Sequence, residues 1–454
     1  MPNRPAHRLE DRFFLRVALL SRDRIAPPDE ERAWPPAARI EASRARLRAL
    51  VDDPLVREAI FLASAGLASE IERWREAPRS PRGRRIERAL VGYVTRMATR
   101  ATPFGAFAGV GVGRIGGRGG GSTSIAVGAA AEHRRRTRLG GAMLWQIVGR
   151  LEESAAARAR LRYHPNSSVF RVAGSVRYTE ARPGPDGAIQ YQMVSVEDTP
   201  LVAAALDRAR GGRRLDHLAR DLVGLGHATE EELGRFVGDL VDAQLLRSEL
   251  SLALTGAGGL AELERALIAG GLADAAGSIA AIAEDLAAID AAGLGASPAR
   301  YAAARSRIDP LMGGGAASGR AGNWLHVDVG ARVTGLLGRE DADEIARAVE
   351  VLRALTRHPP HRRLDELRRA FEARWGEAEV PLPIAIDEDL GVGYGTPTAP
   401  QGGASPLLAG LPFRSAKEAP ILAWEAREGW LMERFARAIA AGEREVVIEP
   451  AEAS

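Results

Sequence analysis

YVTRMATRATPFGAFAGVGVG (residues 93–113) specifies the central unit of the predicted fold. It contains the end of a helix that the apolar spacing predicts over 84–99. The residues predicted on the buried face of that helix are Ile86, Leu90, Tyr93, Val94 and Met97. Pro103 must end the helix, because the residue before a proline is pushed out of the α region. The chain then turns into a glycine-bearing strand over 106–115, so the stretch predicts a helix, a turn and a strand in succession.

Regular elements are predicted on both sides of this unit. Strands are predicted over 13–20, 324–329 and 446–448, and helices over 38–50, 54–76, 340–356, 361–375 and 420–441. Glycine-rich segments at 256–259 and 313–322 bracket an Ala-rich helical stretch. The predicted fold class is α+β, a multi-unit mixture of helices and sheets. Because 454 residues exceed what one hydrophobic core serves, two or three packed units are expected.

Residues 161–250 form the most recognisable block of the chain. The block begins with two strands, predicted over 167–178 and 188–196 and joined by a turn-rich segment. Three helices follow, predicted over 199–210, 214–224 and 229–243. Thr229 opens the third helix with Glu232 three residues on, which is the spacing of a capping box. A hairpin with three short helices is typical of a winged helix-turn-helix, which we expect to be embedded in the fold.

Composition bounds the class of protein. Apolar residues make up 46% of the chain and charged residues 27%, the balance of an ordinary soluble globular protein. The absence of cysteine excludes disulfides, thiolate zinc sites and cysteine nucleophiles, and it fits a reducing cytoplasm. The start has no signal-peptide core, and no stretch approaches the roughly 20 apolar residues that cross a bilayer. We therefore predict a cytoplasmic protein without membrane insertion.

The charged residues are almost all one kind of cation. Lys417 is the only lysine among 62 basic residues, leaving 62 − 1 = 61 arginines. A GC-rich genome accounts for that bias, but guanidinium forks also suit phosphate and carboxylate. The formal net charge is only +3, so a nucleic-acid site must come from local clustering. The eight histidines have no metal-ligand spacing, and neither a metal nor a cofactor is predicted.

Arg96 and Arg100 are the functional candidates that spacing alone suggests. At about 100° per residue they lie one turn apart on one face of the predicted helix. Two guanidiniums there can jointly hold an anion, while without one they repel mildly. Spacing leaves two interpretations open, an anion site or a solvated basic face.

Several strings resemble lantibiotic dehydratases of the glutamyl-tRNA-dependent kind. The strings are RMATRATPFGAFAGV at 96–110, FFLRVALLS at 13–21, QLLRSELSLALTG at 244–256, NWLHVDVG at 323–330 and AFEARWGEAEVPLPIAIDEDLGVGY at 370–394. They follow one consistent order over essentially the whole chain. The sequence is identified on these strings as a member of that family.

The resemblance implies an activity and its residues. Such enzymes transfer glutamate from glutamyl-tRNA to serine and threonine hydroxyls of a precursor peptide, and a separate region then eliminates glutamate. The residues that match those required for glutamylation are Arg96, Arg100 and Thr102. Arg85, Arg88 and Arg16 are the predicted contacts to substrate or tRNA. Arg16 also matches an arginine that the family associates with elimination; the alternative is an edge-strand charge that discourages sheet pairing.

The resemblance also gives a role to the winged-helix block. Such an element captures the leader of the precursor as an added strand. The alternative is DNA binding, which the acidic third helix disfavours because it would be repelled by the major groove. The partners implied are the precursor peptide, glutamyl-tRNA as co-substrate, a separate elimination or C-terminal dehydratase polypeptide, a cyclase and a second copy in a homodimer.

Two departures from the family pattern open an alternative function. Gly140 and Gly141 stand where the family has a carboxylate, and the chain ends soon after 446–448. A truncated gene, a split system or a degenerate relative would each account for this. The alternative is a non-catalytic homologue that binds the leader and assists a partner enzyme. The parts predicted are an N-terminal dehydratase region (1–160), the leader-recognition element (161–250), a helical Ala/Gly-rich segment (251–322) and a truncated second glutamylation part (323–454).

Overall fold

The chain is α+β and divides into two compact units. The computed structural model describes residues 9–117, 119, 121–183, 189–226, 228–251, 259–312, 324–356, 361–387, 390–394, 424 and 426–448. The larger unit is residues 11–338, and the smaller is residues 1–10 with 339–454. The four functional parts named from the sequence stay predictions, because they were drawn by function and not by compactness.

The larger unit holds the strands and most of the helices. Its strands are β1 (Arg12–Ala18), β2 (Ala108–Ile115), β3 (Ser124–Val127), β4 (Arg134–Leu139), β5 (Arg162–Pro165), β6 (Phe170–Val172), β7 (Ser175–Pro183), β8 (Ile189–Glu197), β9 (Arg213–Arg214), β10 (Leu246–Ser248), β11 (Leu325–Gly330) and β12 (Val333–Leu337). Its helices are α1 (Pro36–Asp52), α2 (Pro54–Ala63), α3 (Ala65–Ser69), α4 (Ile71–Glu76), α5 (Pro81–Thr99), α6 (Gly141–Glu153), α7 (Ala155–Arg158), α8 (Pro200–Ala209), α9 (Leu215–Leu222), α10 (Glu230–Asp242), α11 (Gly259–Ala269), α12 (Ala273–Ala291) and α13 (Pro298–Ile308).

Helix α5 carries three of the six predicted site residues, Arg85, Arg88 and Arg96, and is fixed by its apolar face. Ser80 caps its start, accepting from the backbone N–H of Gly83 at 2.9 Å, and Pro81 occupies the first helical position. Its buried apolar residues are Ile86, Leu90, Val94, Met97 and Ala98, while Tyr93 is half-buried. Each large side chain so buried contributes about 1.5–3 kcal/mol. The buried apolar face therefore fixes the helix in place, and Arg85, Arg88 and Arg96 lie on its opposite side.

The largest sheet follows the order β3, β12, β2, β11, β4, with β1 paired to β2. Its inner face is buried, and β2 brings three glycines to it. A Cβ at Gly111 would overlap Val333, and one at Gly113 would overlap the ring of Phe13. Glycine here lets neighbouring side chains pack over the strand. The outer face is left to solvent.

A buried ion network ties this sheet to three helices. Arg135 on β4 donates to Glu58 of α2 and to the carbonyl of Ile289, and its Nε lies 3.2 Å from Asp290 of α12. Glu58 also accepts from the Tyr301 hydroxyl of α13 at 2.5 Å, and burial raises the pKa of that phenol. Both charged side chains of the Arg135–Glu58 pair are 0% exposed. A buried charge is tolerated only when it is paired and hydrogen-bonded, and these bonds provide that pairing.

The winged-helix block contains the predicted inventory of helices. Helices α8, α9 and α10 lie within two residues of the bounds expected. Thr229 caps α10 and accepts from the Glu232 N–H at 3.3 Å, while the Glu232 carboxylate accepts from the Thr229 N–H at 2.8 Å. The predicted capping box is therefore confirmed. Strands β10, β5 and β9 form one small sheet beside it, and β6, β7 and β8 form another.

The first predicted strand of this block, 167–178, is interrupted by a turn. The chain instead forms a hairpin, in which Val172 of β6 pairs with Ser175 of β7. The two residues between them, Ala173 and Gly174, have φ of 47° and 74°. Positive φ at both central residues is the geometry of a type I′ turn, which matches strand twist. The sequence signal was missed because alanine seldom occupies the left-handed region.

Ala173→Asn is expected to raise the free energy of unfolding by about 0.5–1 kcal/mol, because asparagine tolerates positive φ better than alanine. Chemical denaturation measures the change. Ala173→Val is the matched opposite, since a β-branched residue is strained there and should destabilise. Equal stability of the two variants would contradict the turn geometry.

One predicted helix of this unit is interrupted. Residues 54–76 form α2, α3 and α4, not a single helix. Ser64 is extended, with φ −161° and ψ 92°, and its hydroxyl accepts from the Leu67 N–H. A serine side chain that replaces a helical hydrogen bond in this way ends one helix and caps the next.

The smaller unit contains α14 (Arg339–Leu355), α15 (Arg362–Trp375), α16 (Leu382–Ala385) and α17 (Ala426–Ala441). The predicted strand 446–448 is wrong: those residues are not in a strand, and the Val447 carbonyl accepts from Arg434 at 3.2 Å. The predicted start of the last helix, 420–423, and the glycine-rich segment 313–322 lie outside the described residues. No helix in the described parts of the chain is long and apolar enough to span a bilayer.

Candidate functional site

Arg96 lies in the last turn of α5 and is held by an aromatic ring. Its guanidinium carbon is 4.9 Å from the ring centroid of Phe104 and 5.9 Å from that of Phe107. Phe104 and Phe107 meet edge-to-face at 5.8 Å. The Arg96 Nε atom is buried without a hydrogen-bond partner. Within the described residues Arg96 forms no ion pair, so the ring orients the cation and leaves its donors for an anion.

Arg100 and Thr102 lie beyond the helix. Helix α5 ends at Thr99, and Arg100 is extended, with φ −122° and ψ 117°. The one-turn spacing that placed Arg100 on the face of Arg96 therefore does not apply. Both Arg100 and Thr102 are exposed, and neither has a side-chain partner among the described residues. The loop presents a cation and a hydroxyl to solvent close to Arg96 in the chain.

Arg85 and Arg88 share the exposed side of α5. At about 100° per residue they lie within about 60° of each other and within about 80° of Arg96. Both are exposed and form no ion pair within the described residues. A Cβ at Gly92, between them and Arg96, would meet nothing within 4 Å. This side of the helix is an open basic strip.

Arg16 lies apart, on the outer face of the sheet. It pairs across β1 and β2 with Val110. No contact joins it to Arg96 or Arg100 in the described part of the chain. The structure thus groups Arg85, Arg88 and Arg96 on one helix and Arg100 and Thr102 on the following loop, and it puts Arg16 elsewhere.

Sequence reasoning missed a second set of polar residues on the same outer face. Arg134, Arg136 and Arg138 alternate along β4, and they lie opposite Gly330, Asp328 and His326 of β11. Asp328 accepts from Arg138 at 2.5 Å, and His326 lies 3.2 Å from it. The signal was present as alternation in RRRTRL and LHVDV, which is typical of a strand with one face solvated.

The register places this set near the turn that follows α5. Strands β11 and β2 run parallel, with Gly330 level with Val110. Two residues earlier on each strand, Asp328 is level with Ala108, which follows the Thr102–Gly105 turn closely. Gly140 and Gly141 themselves follow β4, where the Gly140 N–H bonds to the carbonyl of Trp324 at 2.8 Å.

The chemistry available at the end of α5 is anion binding by guanidinium groups. Guanidinium forks bind phosphate and carboxylate in the same way. No group of three His, Asp or Glu side chains within the described residues could hold a metal ion.

A separate candidate surface is the free edge of the hairpin sheet. Among the described strands, β8 pairs only with β7, over nine residues. Tyr191 is 64% exposed and Met193 58% exposed on this strand. A long strand with one open edge and exposed apolar side chains is a template for an added strand.

Comparison with known proteins identifies the family. Residues 52–453 match the family described as lantibiotic dehydratase, N terminus. The chain belongs to this family. The resemblance stated from the sequence is therefore confirmed.

Relatives of this lantibiotic dehydratase region are longer than the chain. The subtilin biosynthesis protein SpaB of Bacillus subtilis is 26% identical over 213 residues, covering 46% of this chain and 20% of SpaB. The tRNA-dependent lantibiotic dehydratase MibB from Microbispora sp. 107891 superposes with a TM-score of 0.70 at 26% identity, covering 98% of this chain and 40% of MibB. The TbtB glutamylation domain from thiomuracin biosynthesis, bound to 5'-phosphodesmethylglutamycin, has a TM-score of 0.57 at 23% identity, covering 92% of this chain and 51% of that one. The last likeness concerns the fold.

Proposed function

We propose that the chain transfers glutamate from glutamyl-tRNA to serine or threonine side chains of a ribosomally made precursor peptide. The observation that carries the proposal is Arg96, a cation stacked on Phe104 without an ion-pair partner in the described residues, inside the family's signature string. Family membership and the likeness to a tRNA-dependent dehydratase support it.

The reaction needs a charge-binding site more than a reactive group. The hydroxyl oxygen of the peptide attacks the glutamyl ester carbonyl, a new ester C–O bond forms, and the bond to the terminal ribose oxygen breaks. The proton of the hydroxyl ends on that ribose oxygen. Arginines that hold the glutamyl carboxylate and the tRNA phosphates position the two ester oxygens and stabilise the developing charge.

Each site residue has a role in this proposal. Arg96 and Arg100 hold the glutamyl carboxylate and the terminal phosphate, and Thr102 donates a hydrogen bond beside them. Arg85 and Arg88 extend the basic strip for tRNA. Gly140 and Gly141 offer no carboxylate to accept a hydrogen bond from the glutamyl amine.

The second candidate function is leader binding without chemistry. The open β8 edge supports it, because an extended peptide can add there through main-chain hydrogen bonds. The homodimer, the elimination polypeptide and the cyclase stay predictions, as does cytoplasmic location.

One experiment separates these two functions. The purified chain is incubated with the precursor, glutamyl-tRNA synthetase, tRNA and glutamate, and glutamyl adducts are sought by mass spectrometry. Leader affinity is measured in parallel by fluorescence anisotropy. Adducts support transfer, whereas leader binding without adducts leaves only the binding function. If a neighbouring gene encodes a further part, failure with both polypeptides present would count against a split enzyme.

Phe104→Leu is expected to raise KM for glutamyl-tRNA about fivefold while kcat changes less, because losing the ring releases Arg96 at a cost of about 1 kcal/mol. Phe104 is 45% exposed, so the melting temperature should change little. Phe104→Tyr keeps the ring face and should restore KM. A leucine variant with wild-type KM would remove Phe104 as a positioning residue.

A further inference from the structure

We propose that the outer face of the largest sheet is the docking surface for the RNA part of the aminoacyl donor. This inference rests on the proposed function and adds a surface that the signature string does not contain. The outer face is defined here by the outward residues of β1, β2, β4 and β11.

The register fixes which residues share this face. Arg12, Phe14 and Arg16 of β1 pair with Arg114, Val112 and Val110 of β2. Val110 is level with Gly330 of β11, which pairs with Arg134 of β4. Cα partners in a sheet point their side chains to the same side. Six arginines therefore lie on one face, namely Arg12, Arg16, Arg114, Arg134, Arg136 and Arg138.

Almost none of the positive charge on this face is paired with a carboxylate. Among the described strand residues that point outward, Asp328 is the sole carboxylate, and it bonds to Arg138. The other five arginines form no ion pair within the described residues. Elsewhere in the larger unit exposed arginines are commonly paired, as Arg73 is with Glu70 and Arg220 with Asp216. Five unpaired guanidiniums together form a local positive field that attracts a polyanion.

The geometry of the face fits a nucleic-acid backbone. Alternate residues of a strand are about 7 Å apart, so Arg134, Arg136 and Arg138 form a regular row along β4. A second row, Arg16 and Arg12, lies on β1, three strand spacings or about 14 Å from β4. The register sets Arg16 level with Arg134, and from there the two rows extend in opposite directions along the strands. Between Arg16 and Arg134 the outward residues are small, namely Val110 of β2 and Gly330 of β11. Two staggered basic rows that overlap at Arg16 and Arg134 present guanidiniums along a diagonal of the sheet, which can contact the phosphates of a nucleic-acid backbone.

The apolar residues on this face favour RNA over an acidic protein. Phe14 is 79% exposed and Val112 51% exposed, and the two are cross-strand partners between the arginines. An exposed ring among guanidiniums can stack an unpaired base, which a carboxylate-rich protein surface cannot offer. In this proposal Arg16 is a phosphate contact.

The test measures binding of uncharged glutamate tRNA to the full chain by fluorescence anisotropy over a range of salt concentrations. Arg134→Gln with Arg136→Gln is expected to weaken affinity roughly tenfold and to reduce the slope of log K against log salt by about 2. Arg12→Gln with Arg16→Gln tests the opposite row and should have a similar effect. The matched control is Arg39→Gln with Arg300→Gln, two exposed arginines that have no ion-pair partner among the described residues and lie outside the sheet. The control should stay within about twofold.

Three outcomes would overturn the proposal. The first is wild-type binding by both sheet variants, and the second is an equal loss in the control, which would mean that only total charge matters. The third is displacement of the tRNA by poly-glutamate of equal charge as readily as by unlabelled tRNA. Failure of glutamyl transfer with sheet-dependent RNA binding intact would sink the proposed function alone. Transfer with unchanged KM for glutamyl-tRNA in the sheet variants would sink the docking surface alone.

Discussion

Glu58→Ala is expected to lower the free energy of unfolding by about 3–5 kcal/mol, because it leaves Arg135 as an uncompensated buried charge. Glu58 accepts from Arg135, from the Tyr301 hydroxyl and from the Gly295 N–H at 2.6 Å. No solvent reaches either charged side chain of the pair. Denaturant unfolding followed by circular dichroism measures the loss.

Glu41→Ala is the control for this effect. Glu41 also bonds to two arginines, Arg44 and Arg79, but its side chain is 47% exposed. Water replaces its partners when the carboxylate is removed, so a cost of about 1 kcal/mol or less is expected. Glu58→Met with Arg135→Met removes both charges and should recover part of the loss. Similar costs for the two single variants would contradict the network as a determinant of stability.

Local patterns predicted the site helix well. Its end at Thr99, its buried residues and the turn after Pro103 follow from apolar spacing and from proline geometry, both of which act over a few residues. The capping box of α10 is equally local. The family could also be identified from short strings, because a string of residues is matched without knowledge of its three-dimensional contacts.

Local patterns could not predict which distant strands pair with each other. Arg135 and Arg136 are adjacent and chemically identical, yet one is buried against α2 and α12 and the other faces solvent. Only the pairing of β4 with β11 determines which of the two arginines is buried and which is exposed. Asp328 was missed for the same reason, because it reaches Arg138 across 190 residues of chain. Arg100 illustrates a local failure: helical spacing was extended to it, although both the predicted helix and α5 end one residue earlier, at Thr99.

Arg100→Ala is expected to reduce glutamyl transfer by roughly 10²–10³-fold, the usual cost of removing one donor that stabilises charge in an acyl-transfer site. Arg100 is exposed and has no side-chain partner in the described part of the chain, so its removal should not alter stability. Rates of adduct formation by mass spectrometry measure the effect. Arg100→Lys keeps the charge without the planar fork, so it should recover only part of the rate.

Leader affinity distinguishes a lost contact from a damaged fold. The leader surface proposed on β8 belongs to a different sheet from the one that follows Arg100 in the chain. Because the two surfaces use separate elements, Arg100→Ala should leave leader affinity within about twofold, as Arg39→Ala should for both affinity and transfer. Parallel loss of transfer and leader binding would mean misfolding. Wild-type transfer by Arg100→Ala would instead favour the solvated basic face, and the transferase interpretation would then rest on Arg96 alone.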